Sequence, residues 1–534
     1  MTCPPRAWAS LSARAPTCLL LLTSTLLLAG CSSEPKGPEV PDNPSDPGDA
    51  VDTGPLAPCS YATTSALACG ELEAFELSAC DTSTLARSPS QGVYILKSRV
   101  ATSSSPTGGI VFASTMHLGS DGGASNILLS GPATTYQRDA ERFYIAREVT
   151  LDNGDISRSA YAGCQVDDGQ HLTGCYVSCR NGRVRSQGTF QALRATRREG
   201  EQESEGISLV SESFVSLGLP VDIYVAKGHA YVVSVNSGGR TGGLSVFDVA
   251  DPAHPVFRRT VTMPGDSYWN GVWARGDGLY VASATRGVLL FDISNPAEPA
   301  FLRSLPEDAI NVHTVFVEAD RLYAMSPDPH SETLLFDVSE PLRPVLLGRF
   351  TAPGGGTAGY PHDAFAYQGR LYINHWDLGF LIVDVNTLFD MRQVGRYVYA
   401  NQTSHANAVG TFDGRTIAFE GGEGYDAHLR VLDVTDPQAV VKLGEWRLRA
   451  QSSIHNMVLV DTRLYISHYQ EGVRVLDVST PSEPRQLAYF NTFRETDPHR
   501  GYSFYEGAIG MRVPGDGYVY VVDTSRGLLV FREP

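Results

Sequence analysis

Histidines recur at one position in a repeated part of this 534-residue chain. Each stands at the start of a predicted first strand: His313, His362, His405 and His455, with Asn270 in the equivalent place one repeat earlier. The last position of the strand that follows carries, in order, Ser234, Ser283, Ser326, His375, Glu420, His468 and Asp523. Neutral imidazoles and carboxylates are ligands of first-row divalent metal ions. The residue types therefore suit a metal ion or another polar ligand.

Antiparallel pairing places the start of one strand beside the end of its neighbour. We therefore expect both sets at the same end of the repeat assembly, around the mouth of a central channel. The candidate ligands are His313, His362, His375, His405, Glu420, His455, His468 and Asp523. Zinc, manganese or another first-row ion would tolerate such a mixed set. In the alternative interpretation, these histidines only pack and form hydrogen bonds between neighbouring loops.

The elements that carry these residues come from a repeated phrase. "RGVLLFDISNPAEP" begins at Arg286, and close relatives of it begin at Gly243, Thr333, Leu429 and Gly472. Its aspartates are Asp248, Asp292, Asp337, Asp384, Asp433 and Asp477, which lie 44 to 49 residues apart. That period is typical of a four-stranded propeller blade. The phrase is apolar at nearly every position, which predicts a strand covered on both faces.

The repeated aspartate itself is predicted to be structural. Short polar side chains after a strand accept hydrogen bonds from nearby backbone amides, and the proline that follows fixes the backbone angle. Equivalent turns on successive blades lie far apart around a ring. We therefore expect each aspartate to cap its own turn instead of joining a common ligand site.

The end of the chain indicates how many blades there are. After six complete phrases, "YVYVVDTSRGLLVFREP" from Tyr518 supplies two more strands and no fourth strand follows. The missing strand is predicted from "ESFVSLGLP", Glu212 to Pro220, which is similar to "PVLLGRF" at Pro344. Such closure removes the exposed edges of an open stack. We predict an all-β protein with a seven-bladed β-propeller over residues 207–534.

The phrase resembles the LVIVD repeat, a propeller repeat of exported bacterial and archaeal surface proteins. Six units of this chain are similar to it and the terminal one partly so, over about three fifths of the sequence. The resemblance implies the fold and an exported location. It implies no particular activity, because propellers support many functions.

The N-terminus predicts export. Arg6 and Arg14 precede the apolar run "CLLLLTSTLLLAG", as in a secretory signal, and "LLAGC" resembles a bacterial lipobox ending at Cys31. Residues 1–30 are then a lipoprotein signal peptide, and acylated Cys31 anchors the protein in a membrane. Ser32 after the cysteine favours the outer membrane or cell surface. The alternative is an ordinary signal peptide with an incidental cysteine.

Two segments separate this anchor from the propeller. Residues 31–58, rich in Pro, Asp and Gly, are predicted to be an extended tether. Residues 59–195 are predicted to form a small β sandwich or barrel tied by disulfides, because the segment contains an even number of cysteines in an exported chain. These are Cys59, Cys69, Cys80, Cys164, Cys175 and Cys179. The spacing from Cys164 to Cys179 also permits a metal site. Residues 196–206 form a charged hinge.

Charge and motifs limit the function. A net charge of -17 excludes nucleic acid as the main partner, because phosphates would repel the protein. The sequence contains no HExxH, GxSxG, Walker loop or strand-borne GxGxxG. We expect a membrane-anchored binding or scaffold protein at the surface or in the periplasm, with a protein or polysaccharide partner. The alternative is a metal-dependent hydrolase or lyase that acts on an extracellular substrate at the channel mouth.

Overall fold

A computed structural model describes residues 46–62, 67–88, 90–102, 105–167, 171–307, 309–387 and 390–534. The predicted signal peptide, Cys31 and the first part of the tether lie outside these ranges. Within them, no helix is long and apolar enough to cross a membrane. The described chain forms β-strands, with 3-10 helices at Leu72–Ala74 and Thr82–Arg87.

The N-terminal domain is one antiparallel sheet of nine strands that curves into a half-barrel, in the order β6-β5-β4-β3-β11-β10-β9-β8-β7. A separate small sheet pairs β1 with β2. The strands are β1 (Ser60–Tyr61), β2 (Phe75–Glu76), β3 (Gly92–Thr102), β4 (Ser105–Leu118), β5 (Ile127–Leu128), β6 (Gly131–Pro132), β7 (Thr135–Arg138), β8 (Phe143–Thr150), β9 (Ile156–Asp167), β10 (His171–Arg180) and β11 (Arg183–Arg194). Of the two predicted forms, the curved single sheet corresponds to the barrel.

Three disulfides tie this domain together, as its cysteine count predicts. They join Cys59 to Cys175, Cys69 to Cys179 and Cys80 to Cys164. Each links the loops before the sheet to β9 or β10, across 84 to 116 residues of sequence. Long loops of this kind gain stability because the cross-link restricts the unfolded chain. The alternative of a metal site between Cys164 and Cys179 is wrong, because each of these cysteines is oxidised to a different partner.

The rest of the chain is the predicted seven-bladed propeller. Blades one to five are β14–β17, β18–β21, β22–β25, β26–β29 and β30–β33, each numbered from the inner strand outwards. These strands are β14 (Leu219–Ala226), β15 (His229–Val235), β16 (Gly243–Asp248), β17 (Val256–Val261), β18 (Trp269–Arg275), β19 (Gly278–Ser283), β20 (Gly287–Asp292), β21 (Ala300–Leu305), β22 (Thr314–Glu318), β23 (Arg321–Ser326), β24 (Glu332–Asp337), β25 (Val345–Thr351), β26 (Asp363–Tyr367), β27 (Arg370–Asn374), β28 (Phe380–Asp384), β29 (Arg392–Tyr397), β30 (Ser404–Phe412), β31 (Arg415–Gly422), β32 (Leu429–Asp433) and β33 (Val441–Trp446).

Blades six and seven complete the ring with strands from before the first blade. Blade six is β34–β37 with the short β12 on its outer edge, and blade seven is β38–β40 with β13. The strands are β12 (Ser204–Glu205), β13 (Ser208–Ser213), β34 (Met457–Val460), β35 (Arg463–Ser467), β36 (Val473–Asp477), β37 (Arg485–Phe490), β38 (Ala508–Arg512), β39 (Tyr518–Asp523) and β40 (Gly527–Arg532). One strand thus comes from the N-terminal side and three from the C-terminal side, as predicted.

The strand that closes the ring differs in position from the prediction. It is Ser208–Ser213, which pairs with Gly527–Arg532, whereas the prediction placed it at Glu212 to Pro220. Val215 and Leu217 are buried between the blades, and Leu219 already begins the inner strand of blade one. The outer strand of a blade is largely exposed to solvent. Residues 215–219 are more apolar than Ser208–Ser213, so their burial in the core is favoured over a place in the outer strand.

The repeated phrase is the third strand of each blade. In β20 and β24 every residue except the final aspartate is buried, because neighbouring blades cover both faces. Each aspartate accepts a hydrogen bond of 2.7–3.0 Å from the backbone amide two residues later, in the pairs Asp248–Ala250, Asp292–Ser294, Asp337–Ser339, Asp384–Asn386, Asp433–Thr435 and Asp477–Ser479. These contacts confirm that the aspartates cap turns.

The segments before the propeller dock on it through buried arginines. Arg430 of β32 donates hydrogen bonds of 2.9 Å to both Asp46 and Asp49. All three side chains are at most 4% exposed. Burial raises the pKa of Asp46, but the hydrogen bond and charge of Arg430 outweigh it and hold that pKa well below its usual range. The last part of the predicted tether is therefore packed against blade five.

Two further arginines repeat this arrangement on the next blades. Arg474 of β36 binds Glu201 at 3.0 Å, within the predicted hinge. Arg526, at the turn before β40, binds Glu212 of β13 at 2.5 Å. The hinge therefore ends docked on blade six, since β12 also pairs with the outer strand of that blade. Blades five and six thus each hold one acidic stretch of the preceding chain, and in blade seven the arginine binds the closing strand of its own sheet.

The closing strand yields the first prediction. Replacing Ser208–Ser213 by a Gly-Ser linker of equal length leaves the two ends of the ring held only by packing between blades. We expect the whole propeller to melt at a lower temperature, as followed by tryptophan fluorescence. The same linker in place of Val256–Val261 is the control, and it should destabilise less, because the ring stays closed by β13. Equal melting of parent and β13 variant would contradict this closure.

The Arg430 cluster yields the second prediction. Arg430→Met leaves two buried carboxylates without their arginine. Lys442, 3.2 Å from Asp46, and His428, 2.9 Å from Asp49, replace only part of its contacts, so we expect a cost of about 3 kcal/mol of stability. Adding Asp46→Asn and Asp49→Asn to that variant should recover part of the loss, because the two buried side chains then carry no charge. Arg485→Met removes an exposed ion pair and is the control. Melting curves of the four proteins test this, and an Arg430→Met variant as stable as the parent would contradict it.

Candidate functional site

Four histidines lie side by side at one end of the inner strands. His313, His362 and His455 precede β22, β26 and β34 by one or two residues, and His405 is the second residue of β30. Their ring centroids are 4.3 Å apart between His313 and His362, 4.0 Å between His362 and His405, and 4.5 Å between His405 and His455. The structure therefore brings the first predicted set together in the channel. Asn270 extends the row, with its side-chain nitrogen 3.2 Å from His313.

Hydrogen bonds between blades orient two of these rings. Nδ1 of His405 lies 3.0 Å from the carbonyl oxygen of His455, and Nδ1 of His455 lies 2.8 Å from that of Ile509. A carbonyl accepts only from a protonated nitrogen, so Nε2 of each neutral ring keeps its lone pair. Such bonds commonly orient histidines that ligate metals. They also join one blade to the next, so the packing role considered from the sequence is present as well.

A carboxylate completes the group. Oε2 of Glu423 lies 3.7 Å from Nε2 of His405. The hydroxyl of Tyr469 donates a hydrogen bond of 2.5 Å to Oε1 of Glu423. One ligand atom from each of His362, His405 and Glu423 lies within 4.8 Å of the other two, and all three residues are buried. This arrangement has the composition of a metal centre.

Aromatic residues in strained backbone conformations surround the histidines. Trp376 has a φ of 45° and Tyr469 a φ of 40°, in the left-handed region that bulky side chains rarely adopt. Trp376 stacks on His362 with centroids 5.2 Å apart, and the ring of Tyr469 lies 5.1 Å from that of His455. Strain of this kind persists where the surrounding structure imposes it, and it is common at functional sites.

Burial keeps the imidazoles neutral. Desolvation lowers the pKa of His405 and that of His455 to about 3, with neighbouring histidines adding to the effect. The pKa of His362 is also well below its usual value, first because of burial and then because three other histidines surround it. A neutral imidazole is the form that ligates a metal ion. The ligand-competent form is thus present across the neutral pH range.

The second predicted set does not join this group. Glu420 accepts a hydrogen bond of 3.0 Å from Tyr399 beside the Arg430 cluster, and burial raises its pKa to about 7. Asp523 accepts bonds from the amides of Ser525 and Arg526 in its own turn. His375 and His468 are buried, and Nδ1 of His468 lies 3.3 Å from the Ser452 hydroxyl.

The residues that do reach the histidines follow the predicted ones in the sequence. Trp376 and Tyr469 come directly after His375 and His468, and Glu423 comes three residues after Glu420. Side chains of an extended chain alternate in direction, so a shift of one residue reverses where they point. In blade five, β31 extends to Gly422, so the residue that reaches the histidines comes later in the sequence than the end of the strand would predict. In the other two blades, the sequence signal for the residue that reaches the histidines is the tryptophan or tyrosine directly after His375 or His468.

The histidines form one end of a cavity along the propeller axis. Its volume is about 280 Å³, and inner strands of all seven blades line it. Its walls include the side chains of Tyr224, Trp273, Phe316, Phe365 and Arg512. We call this cavity the central chamber. It has the mixture of apolar walls and a few polar groups that is typical of small-ligand sites.

The N-terminal domain lies on the same face of the propeller as the histidines. Phe504, in the loop between blades six and seven, packs with Val93 and Ile95 of β3. The next residue, Tyr505, has its ring 5.4 Å from that of Tyr469. Glu495 of the same loop binds Arg194 at 2.9 Å. The loop therefore connects the half-barrel to the ring that orients Glu423.

One family model matches part of the propeller. The family model of the LVIVD repeat matches residues 218–262 and 267–305, which contain blades one and two. No curated protein matches the chain in sequence.

Solved structures similar to the chain include three whose matches cover 60% to 64% of it. The WD40 β-propeller domain of Doa1 is 11% identical, with 62% of this chain and 98% of that chain covered and a TM-score of 0.45. The computationally designed Ika8 protein is 12% identical, with 60% and 100% covered and a TM-score of 0.42. A chain of the mitotic checkpoint complex is 13% identical, with 64% and 98% covered and a TM-score of 0.45.

Buried His468 yields a prediction about pH. Desolvation first, and then the charges of Arg474, Arg449 and Arg198, lower its pKa from 6.5 to about 3. Below pH 6.5 the unfolded chain binds a proton that the folded chain excludes, so stability falls by about 1.4 kcal/mol per pH unit from this residue. Glutamine does not titrate, so the His468→Gln variant lacks this loss of stability at low pH. Its melting temperature should therefore rise relative to the parent between pH 7 and pH 4.5.

Exposed His330 provides the control for this experiment, because its side chain faces solvent. His330→Gln should leave the pH dependence of melting unchanged. His468→Gln also loses the contact with Ser452, but that loss is the same at every pH. A difference from the parent that stays constant over the pH range would contradict the prediction.

Proposed function

We propose that this LVIVD-repeat propeller is an exported binding protein that holds a divalent first-row metal ion between His362, His405 and Glu423. The observation that carries the proposal is that three ligand atoms lie within 4.8 Å of one another in a buried site. The propeller fold with LVIVD repeats supports a binding or scaffold role in general. The site gives that role a specific chemistry.

The contacts around the three ligands support metal binding. A hydrogen bond through Nδ1 fixes the ring of His405, and Tyr469 fixes Glu423. Ligands held in place by a second layer of hydrogen bonds bind metal ions more tightly. The carboxylate balances part of the charge of a divalent ion, and the two neutral imidazoles supply lone pairs to it, which together lower the cost of burying the ion. His455, next to His405, is available as a further ligand.

The cellular setting belongs to the same proposal. The apolar N-terminal run with Arg6 and Arg14, and the lipobox-like stretch ending at Cys31, support export and anchoring of the protein to the outer membrane or cell surface. Three disulfides support an oxidising location outside the cytoplasm. A protein or polysaccharide partner would then meet the propeller outside the inner membrane.

Metal analysis of the full protein, purified without an affinity tag, tests the site. We expect about one equivalent of a first-row ion, and His405→Gln or Glu423→Gln should weaken binding about tenfold or more. His468→Gln is the matched control, because this histidine is also buried but lies outside the group. Purified protein that holds no ion and takes up neither Zn²⁺ nor Mn²⁺ at millimolar concentration would contradict the proposal.

A further inference from the structure

We infer that the central chamber binds a sugar acid, that is, a hydroxylated carboxylate of monosaccharide size, whose carboxylate is held by Arg512. The inference goes beyond the metal site and does not depend on it. It rests on three observations: the size of the chamber, an arginine in its wall whose charge is only partly neutralised by the nearest carboxylate, and buried oxygen atoms in its wall that accept no hydrogen bond from the protein.

Arg512 is the cation of the chamber. Its guanidinium carbon lies 4.7 Å from the ring centre of Trp273 and 5.4 Å from that of Tyr224. The carboxylate oxygen of Asp222 that it faces is 3.5 Å away, which is long for a charge-assisted bond. Nη1 of Arg512 donates a hydrogen bond of 2.7 Å to the carbonyl oxygen of Met511, and Nη2 donates one of 3.4 Å to that of Val272. Within the part of the chain that the structure describes, Nε is buried and has no hydrogen-bond partner. A planar guanidinium in this state suits a carboxylate ligand.

The two carboxyl groups near Arg512 repel an anionic ligand less strongly than two fully ionised carboxylates would. Burial raises the pKa of Asp363 to about 7, and it also raises the pKa of Asp222 against the charge of Arg512. Asp363 accepts a hydrogen bond of 2.9 Å from the amide of Ala364, and Asp222 accepts one of 3.0 Å from Val272. Arg512 therefore keeps positive charge for a ligand.

Three unused acceptors define the rest of the ligand. Oδ1 of Asp222, of Asn270 and of Asn407 are buried and have no partner among the described residues. Each of these residues lines the chamber. Buried acceptors without partners are costly, so a ligand that brings hydroxyl donors would be favoured.

The size and walls of the chamber complete the match. A volume of about 280 Å³ lies just below the range of drug-sized pockets and suits a small molecule. Trp273, Phe316 and Phe365 add apolar rings to the chamber wall, against which the C–H groups of a sugar can pack. One carboxylate, several hydroxyls and an apolar ring face together describe a sugar acid.

The ligand would enter opposite the histidines. His362, His405 and His455 are buried at the chamber end on which the N-terminal domain lies. At the other end Val225, Leu459 and Val513 are partly exposed. The chamber therefore opens to solvent beside Arg512, on the face away from the half-barrel.

Calorimetric titration of the full protein, freed of metal by a chelator, tests the inference with three probes: glucuronate, galacturonate and gluconate. We expect at least one of them to bind, and glucose, which lacks the carboxylate, to bind at least about tenfold more weakly. This contrast needs no variant, so it holds even where a variant fails to fold. Failure of all three acids to bind at millimolar concentration, or equal binding of glucose, would overturn the inference.

Two variants locate the site. Arg512→Gln should weaken the acid about tenfold or more, while Arg343→Gln, at an 82% exposed side chain, should not change it. Glu423→Gln should weaken metal uptake about tenfold or more and leave the acid bound, because Glu423 belongs to the metal group but does not line the chamber, so the two sites can fail separately. Unchanged binding by a folded Arg512→Gln protein, or loss of acid binding in Glu423→Gln, would overturn the assignment to Arg512.

Discussion

Closure of the ring by β13 is the constraint on which the functional geometry depends. The seven blades can direct their inner strands to one axis only when the last blade is completed and packed against the first. The pairing of Ser208–Ser213 with Gly527–Arg532 achieves this. It brings histidines from four consecutive blades, separated by 43 to 50 residues of sequence, into van der Waals distance. An open stack would spread the same residues along an edge.

The buried arginines decide how the rest of the chain meets this ring. Removing an arginine and a carboxylate from water is costly, and only a well-placed partner with further hydrogen bonds offsets that cost. Arg430 and Arg474 meet this condition with Asp46 and Glu201. Because these two partners precede the propeller in the sequence, the pairs also specify where the N-terminal domain sits. A tether end and a hinge that would otherwise be mobile thus become part of the propeller face.

The two ends of the central chamber differ in chemistry. One end carries neutral imidazoles with Glu423, oriented by Tyr469 and covered by the half-barrel. The other carries Arg512 between aromatic rings and is partly open to solvent. A set of imidazole and carboxylate ligands at one end of a cavity and a cation at the other suit two different ligands, a metal ion and an organic anion. The rigid blades hold both ends in fixed relation.

The sequence by itself determined the repeat period, the number of blades and the turn role of the repeated aspartates, because these depend on local patterns of burial and turn chemistry. It also predicted that His313, His362, His405 and His455 come together at the channel, since they occupy one position of the repeat, but it placed His375 and His468 with them. Only the tertiary structure decided that Glu423, and not Glu420 or Asp523, joins them. Which side of a strand end a residue faces depends on strand length and register in each blade, and a single residue reverses it. The docking of Asp46 on Arg430 was likewise beyond the sequence, because 384 residues separate the two and only the folded ring brings them together.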